Sequence, residues 1–138
     1  MRLLGLDYGD ARIGVALGDT GGLRAFPHSV FRHRGWGPDT RHIKTLLEET
    51  GAVAVVLGLP RNMDGSLGGQ ALEAQGLGER LKAEGITVYY QDERLSSVEA
   101  EEALRAGGLD GRKIKKKVDQ TAASLVLQRH LDSLGYND

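Results

Sequence analysis

The chain has 138 residues, a formal net charge of −1 and no cysteine, which excludes disulfides, thiolate metal sites and a cysteine nucleophile. A near-neutral balance also argues against a globally basic nucleic-acid binder, although local clusters can still serve that role. With 40% hydrophobic residues the chain suffices for one domain, residues 1–138, and nothing in it approaches the ~20 apolar residues of a membrane helix, so a cytoplasmic protein with no membrane partner is expected.

The first elements read as strands. "RLLGLDY" (2–8) and "RIGVALGD" (12–19) flank a hairpin turn, "GDA" (9–11), and "AFPHSVFRH" (25–33) supplies a third strand with Pro27 near its start or on an edge. Residues 39–50 read as a helix, because Ile43, Leu46 and Leu47 recur at helical spacing and Gly51 is placed to end it. "AVAVVLGLP" (52–60) is the continuous aliphatic run of a strand buried on both faces. A glycine-rich loop (61–69) leads to a helix over 70–85, then to a strand, "ITVYYQDE" (86–93). A helix over 96–108 carries a capping box, Ser96 with Glu99. Residues 109–117 read as a basic loop, and a last helix runs over 118–135. A three-strand meander followed by βαβ units predicts an α/β fold: a mixed five-stranded sheet with helices on both faces.

In open α/β sheets, ligands sit beyond the carboxyl ends of the parallel strands. Acids occupy those ends: Asp7 closes the first strand, Asp92 and Glu93 close the fifth, and Asp119 opens the last helix. Each has an ordinary explanation by itself: a turn starter at Asp7, an ion pair with Arg94 at Asp92 or Glu93, a first-turn acid favoured by the helix dipole at Asp119. Taken together they favour a metal site, because converging carboxylates repel unless cations lie between them. Hard oxygen donors suit Mg²⁺ or Mn²⁺. Two such ions about 3.5–4 Å apart can hold both the attacking and the leaving oxygen of a phosphoryl displacement.

The blocks "GLDYGDARIGVALGD", "VVLGLPRNMDGSLG", "YQDERLSSVEAEEAL" and "KVDQTAASLVLQ", in that order and spanning residues 2 to about 130, resemble the YqgF/RuvX family. The resemblance implies a three-layer RNase H-like fold and a metal-dependent nuclease, acting on pre-16S ribosomal RNA in ribosome biogenesis or on Holliday junctions in recombination and repair. It also implies catalytic and metal-binding carboxylates at Asp7, Glu93 and Asp119, with two ions. Strand alternation sends Asp92 and Glu93 to opposite faces, and Glu93 is the one expected in the site.

Nucleic acid would be held by cations. "RKIKKK" (112–117) places Arg112, Lys113, Lys115, Lys116 and Lys117 just before Asp119, where a solvated stretch is the alternative. Arg61, in the glycine-rich loop, and Arg94 are further candidates for substrate contact. "FRHRGW" (31–36) is a second cluster, in which Trp36 is equally a base-stacking partner or a core residue. Two other functions compete. An actin-like ATPase or sugar kinase shares the "GLDYG" pattern but needs two such domains. A non-catalytic RNA-binding assembly factor could retain the fold without the chemistry. A four-way junction would call for a homodimer.

Overall fold

Five strands and three helices make up the described part of the chain. The computed structural model describes residues 1–60, 64, 67–92 and 111–135, of which 111–120 and 135 by backbone alone. In chain order the elements are β1 (Arg2–Tyr8), β2 (Arg12–Asp19), β3 (Arg24–Arg32), α1 (Trp36–Thr50), β4 (Ala54–Leu59), α2 (Gly69–Ala83), β5 (Thr87–Asp92) and α3 (Gly111–Gly135). The sheet order is β3-β2-β1-β4-β5. β1, β2 and β3 pair antiparallel, while β4 joins β1 and β5 joins β4 in parallel. This is the mixed α/β sheet expected from the order of the elements.

Alternation along the strands divides the interior into two layers. Leu4, Leu6 and Tyr8 of β1, Ile13 and Val15 of β2, and Val55, Leu57 and Leu59 of β4 pack with Ile43, Leu77 and Leu81 of α1 and α2. The intervening residues Leu3, Ala16, Ala54 and Val56 pack on Ala123, Val126, Leu127 and Leu131 of α3. Strand β4 is buried at every position, which its unbroken aliphatic sequence requires. Each fully buried leucine or isoleucine contributes about 1.5–3 kcal/mol through removal of its surface from water.

Two boundaries differ from the sequence expectation. Helix α1 starts at Trp36, three residues before the expected Asp39, with Gly35 at its N-cap. Pro38 falls in the first turn, where backbone N–H groups have no helical acceptor and the missing donor costs nothing. The second difference is larger. Residues 111–117, expected as a basic loop, begin α3, so Asp119 sits in its third turn and not at its start. Lysine and arginine are good helix formers, and no glycine or proline interrupts 112–134. A run of charge was mistaken for a break. The expected helix over 96–108, with its Ser96–Glu99 capping box, lies outside the described residues.

Candidate functional site

Asp7 occupies the last but one position of β1, at the carboxyl end of the parallel strands, and only 7% of its surface is exposed. It pairs with Gly14 of β2. One residue beyond the Leu6–Leu57 pair, the parallel register brings Gly58 of β4 alongside. The carboxylate therefore stands between two strand positions that carry no side chain of their own. Alternation puts Asp7 on the same face as Leu3 and Gly5, the face covered by α3.

Glycines set how closely α3 approaches. A Cβ at Gly5 would lie 2.7 Å from Leu127 Cβ and 2.9 Å from the Ala123 carbonyl oxygen; one at Gly18, the partner of Leu3, would meet Leu131 and Leu127 at 3.0 and 3.1 Å. From Leu3 to Gly5 the contacts thus move from the Leu127–Leu131 turn to the Ala123–Leu127 turn, so α3 runs antiparallel to β1. Two more strand residues, about 6.6 Å, lead to Asp7. One more helical turn, about 6 Å, leads from Ala123 to position 119 on the same stripe of α3. Backbone placement brings position 119 to the end of the sheet that holds Asp7.

Of the other expected site residues, Arg61, Glu93 and Arg94 lie outside the described residues. Arg112, Lys113, Lys115, Lys116, Lys117 and Asp119 lie on the described backbone of α3, their side chains outside it. On β5 the Tyr89 ring meets His130 of α3 at 5.0 Å. Asp92 has the parity of Val88 and Tyr90, which belong to the layer under α1 and α2. Its carbonyl accepts a hydrogen bond from Arg129 Nη1 at 3.4 Å. Among the described residues, no three histidine, aspartate or glutamate side chains converge as a metal site.

A buried polar chain fixes the same end of the sheet from the other side. Asp39, 1% exposed, accepts hydrogen bonds from His33 Nδ1 and, at 3.0 Å, from the backbone N–H of Arg34. The other ring nitrogen of His33, Nε2, lies 2.9 Å from the Tyr8 hydroxyl and extends the chain of hydrogen bonds to β1. Burial pushes the Tyr8 phenol above its ordinary range. The His33 N–H bonds the Ala11 carbonyl, tying the β3–α1 connection to the β1–β2 turn. Trp36 lies on this α1–α2 side, its ring so close over Gly76 that a Cβ there would come within 2.4 Å, yet it remains 41% exposed. It belongs neither to the core nor to the face that carries Asp7.

Sequence inspection passed over Arg12, His33 and Asp39. The Arg12–Arg32 pairing depends on strand register, and the His33–Asp39 contact spans a strand–helix junction. The one local signal was an acid in the first turn of α1 that reaches back to the N–H of Arg34.

Comparison with known proteins identifies the lineage. The model of the family described as "RuvX: Holliday junction resolvase" matches residues 1–133. The chain belongs to the RuvX family. A Moorella thermoacetica protein named "Putative pre-16S rRNA nuclease" is 42% identical over 138 residues, 99% of each chain. An Anaeromyxobacter protein of the same name is 47% identical over 133 residues, covering 96% of this chain and 97% of its own. Among solved structures, Thermus thermophilus RuvC in complex with a Holliday junction substrate superimposes with a TM-score of 0.58 at 17% identity, over 96% of this chain and 94% of its own. At that identity the likeness is one of fold, and it matches the RNase H-like architecture expected from the four sequence blocks.

Proposed function

We propose that this RuvX-family chain is a divalent-metal-dependent nuclease that hydrolyses a phosphodiester bond in precursor 16S ribosomal RNA, in the cytoplasm, with Asp7, Glu93 and Asp119 as its catalytic carboxylates. The observation that carries the proposal is the place of Asp7: a buried carboxylate at the carboxyl end of β1, between glycines on both neighbouring strands, at the end of the sheet reached by position 119. The names of the relatives support the substrate.

The donor set fits a hard cation. Asp7 supplies a carboxylate flanked by glycine positions of both neighbouring strands, and Glu93 and Asp119 would add two more. Mg²⁺ or Mn²⁺ held there, as a pair, would neutralise charge on the attacked phosphate. The chain's own part is to hold the substrate. Arg112, Lys113, Lys115, Lys116 and Lys117 occupy the turns of α3 next to position 119, where they would bind phosphates adjacent to the scissile one; Arg61 and Arg94 would add contacts.

The family description favours a second reading, cleavage of a four-way DNA junction, for which the chain would act as a symmetric homodimer. A non-catalytic assembly role is the third. One experiment separates them: precursor 16S RNA and a synthetic four-way junction are incubated with wild type and Asp7→Asn, with Mn²⁺, Mg²⁺ or EDTA. Metal-dependent cleavage of RNA by wild type, lost in a folded Asp7→Asn, is expected. Cleavage of the junction alone would move the substrate to DNA. Undiminished cleavage by Asp7→Asn would overturn the site.

A further inference from the structure

Arg12 begins β2 and Arg32 ends β3, and the register pairs them directly opposite one another. This pair lies at the carboxyl end of β1, on one face of the sheet. Arg12 has the parity of Gly14 and Ala16, and Ala16 packs in the α3 layer, so Arg12 and its partner Arg32 lie on the face that carries Asp7. Asp7, Gly14 and Val30 form one cross-strand row, and Arg12 with Arg32 forms the next row on that face. With about 6.8 Å between such rows and 4.8 Å between strands, the two arginine Cα atoms stand roughly 8 and 12 Å from that of Asp7.

Arg34 extends the strip beyond the strand. It lines a cleft with Arg32, Pro38, Asp39 and His42, while Arg12 and Arg32 line the adjoining one with Ala11, Val30 and Phe31. Asp39, the acid in this cleft, is committed to His33 and to the backbone of Arg34. Among the described residues, no carboxylate pairs with the Arg32 or Arg34 guanidinium. The backbone beneath is rigidly placed: His33 N–H is bonded to Ala11 and Arg34 N–H to Asp39, so the strip is formed before any ligand arrives.

We infer that Arg12, Arg32 and Arg34 form a phosphate-binding strip that holds a single strand of nucleic acid on the β2–β3 side of Asp7. The inference rests on the nuclease proposal for its setting but not for its test. A strand crossing Asp7 would be gripped on both sides, by the basic turns of α3 and by this strip. Roughly two to four base steps of about 3.4 Å separate Asp7 from the arginine row. The guanidinium fork suits bidentate contact with phosphate oxygens, which lysine would not reproduce.

Binding is measured by fluorescence anisotropy with labelled 12-nucleotide uridine and thymidine oligomers in EDTA, where no metal-dependent cleavage occurs, as a function of salt. For Arg12→Gln/Arg32→Gln we expect at least tenfold weaker binding at 0.1 M salt and a log–log salt slope shallower by about 1.4, from roughly 0.7 per phosphate contact; adding Arg34→Gln should remove about 0.7 more. Lys44→Gln/Lys82→Gln removes the same charge elsewhere on the surface and should leave the slope unchanged. Preference between the oligomers reports whether the strip takes RNA or DNA, and a shallower slope with either supports it. A slope equal to wild type, or an equal change in the lysine control, would overturn the strip. If the slope falls but wild type cleaves no substrate with any metal, the strip stands and the nuclease proposal fails; if Asp7→Asn abolishes cleavage while the slope is unmoved, the reverse holds.

Discussion

Substituting Gly5 by alanine tests the geometry on which the site depends. The added Cβ would lie 2.7 Å from Leu127 Cβ and 2.9 Å from the Ala123 carbonyl oxygen. Carbon atoms settle at about 3.5–4.0 Å, so α3 must retreat by roughly 1 Å or β1 must bow by as much. Neither obstacle is the free end of a flexible chain: one atom is backbone and the other is fixed to it. Overpacking of this kind costs about 1–3 kcal/mol. In a chain of this size that lowers the melting temperature by about 3–12 °C. The same shift would carry position 119 away from Asp7, and a misplacement of about 1 Å can reduce a rate by ~10²-fold. Thermal unfolding followed by circular dichroism, with nuclease cleavage measured well below the transition, reads both effects. Gly69→Ala is the matched control, since a Cβ there meets nothing within 4 Å. A Gly5→Ala protein that melts within 1 °C of wild type and cleaves at its rate would refute the close approach of α3 and, with it, the pairing of Asp7 with position 119.

Three further outcomes follow from the polar and aromatic contacts. Asp39→Ala strands the His33 Nδ1–H and the Arg34 N–H and should lower stability by about 3 kcal/mol, read as a shift of the urea midpoint at constant slope; an unshifted midpoint would mean that water replaces the carboxylate. Burial holds the His130 imidazole below its ordinary 6.5, so below that pH the unfolded chain takes up a proton that the folded chain refuses. The stability this provides is present above pH 6.5 and is lost as pH falls through the folded value; urea midpoints of wild type and His130→Gln should converge on acidification, and parallel profiles would contradict it. Burial, with Glu79 beside it, pushes the Tyr90 phenol up to about 12. The unfolded chain releases that proton from about pH 10, so stability falls between pH 10 and 12, and Tyr90→Phe should remove the latest step in the 295 nm titration; a single step near 10 for every tyrosine would argue that the ring is solvated.

The parts of the fold that announced themselves in sequence did so through period. β1, β2 and β4 are apolar over lengths no helix of this size would need, and Asp7 stood out as an acid where such a run ends. What could not be read locally was register. Arg12 and Arg32 are 20 residues apart and meet because a hairpin and a bulge between Val15 and Ala16 set the pairing. His33 and Asp39 meet across the start of α1, which was itself expected three residues late because the apolar spacing that marks the helix begins only at Ile43. The lysine run failed for a different reason. Charge was taken as a sign of a loop, although lysine and arginine propagate helices well, and the stripe of Ala122, Ala123 and Val126 that anchors α3 starts only afterwards.

A helix of 25 residues spans about 37 Å, while the seven residues of β1 span about 23 Å. α3 is therefore longer than the strand it covers, and its buried residues from Ala123 to Leu131 pack on the sheet. Positions 112–117 sit roughly 3–10 Å beyond position 119 along its axis. If these positions hold substrate as proposed, the helix would work as a ruler: an oligonucleotide that ends at the scissile phosphate on that side would meet fewer of its cations than a longer one.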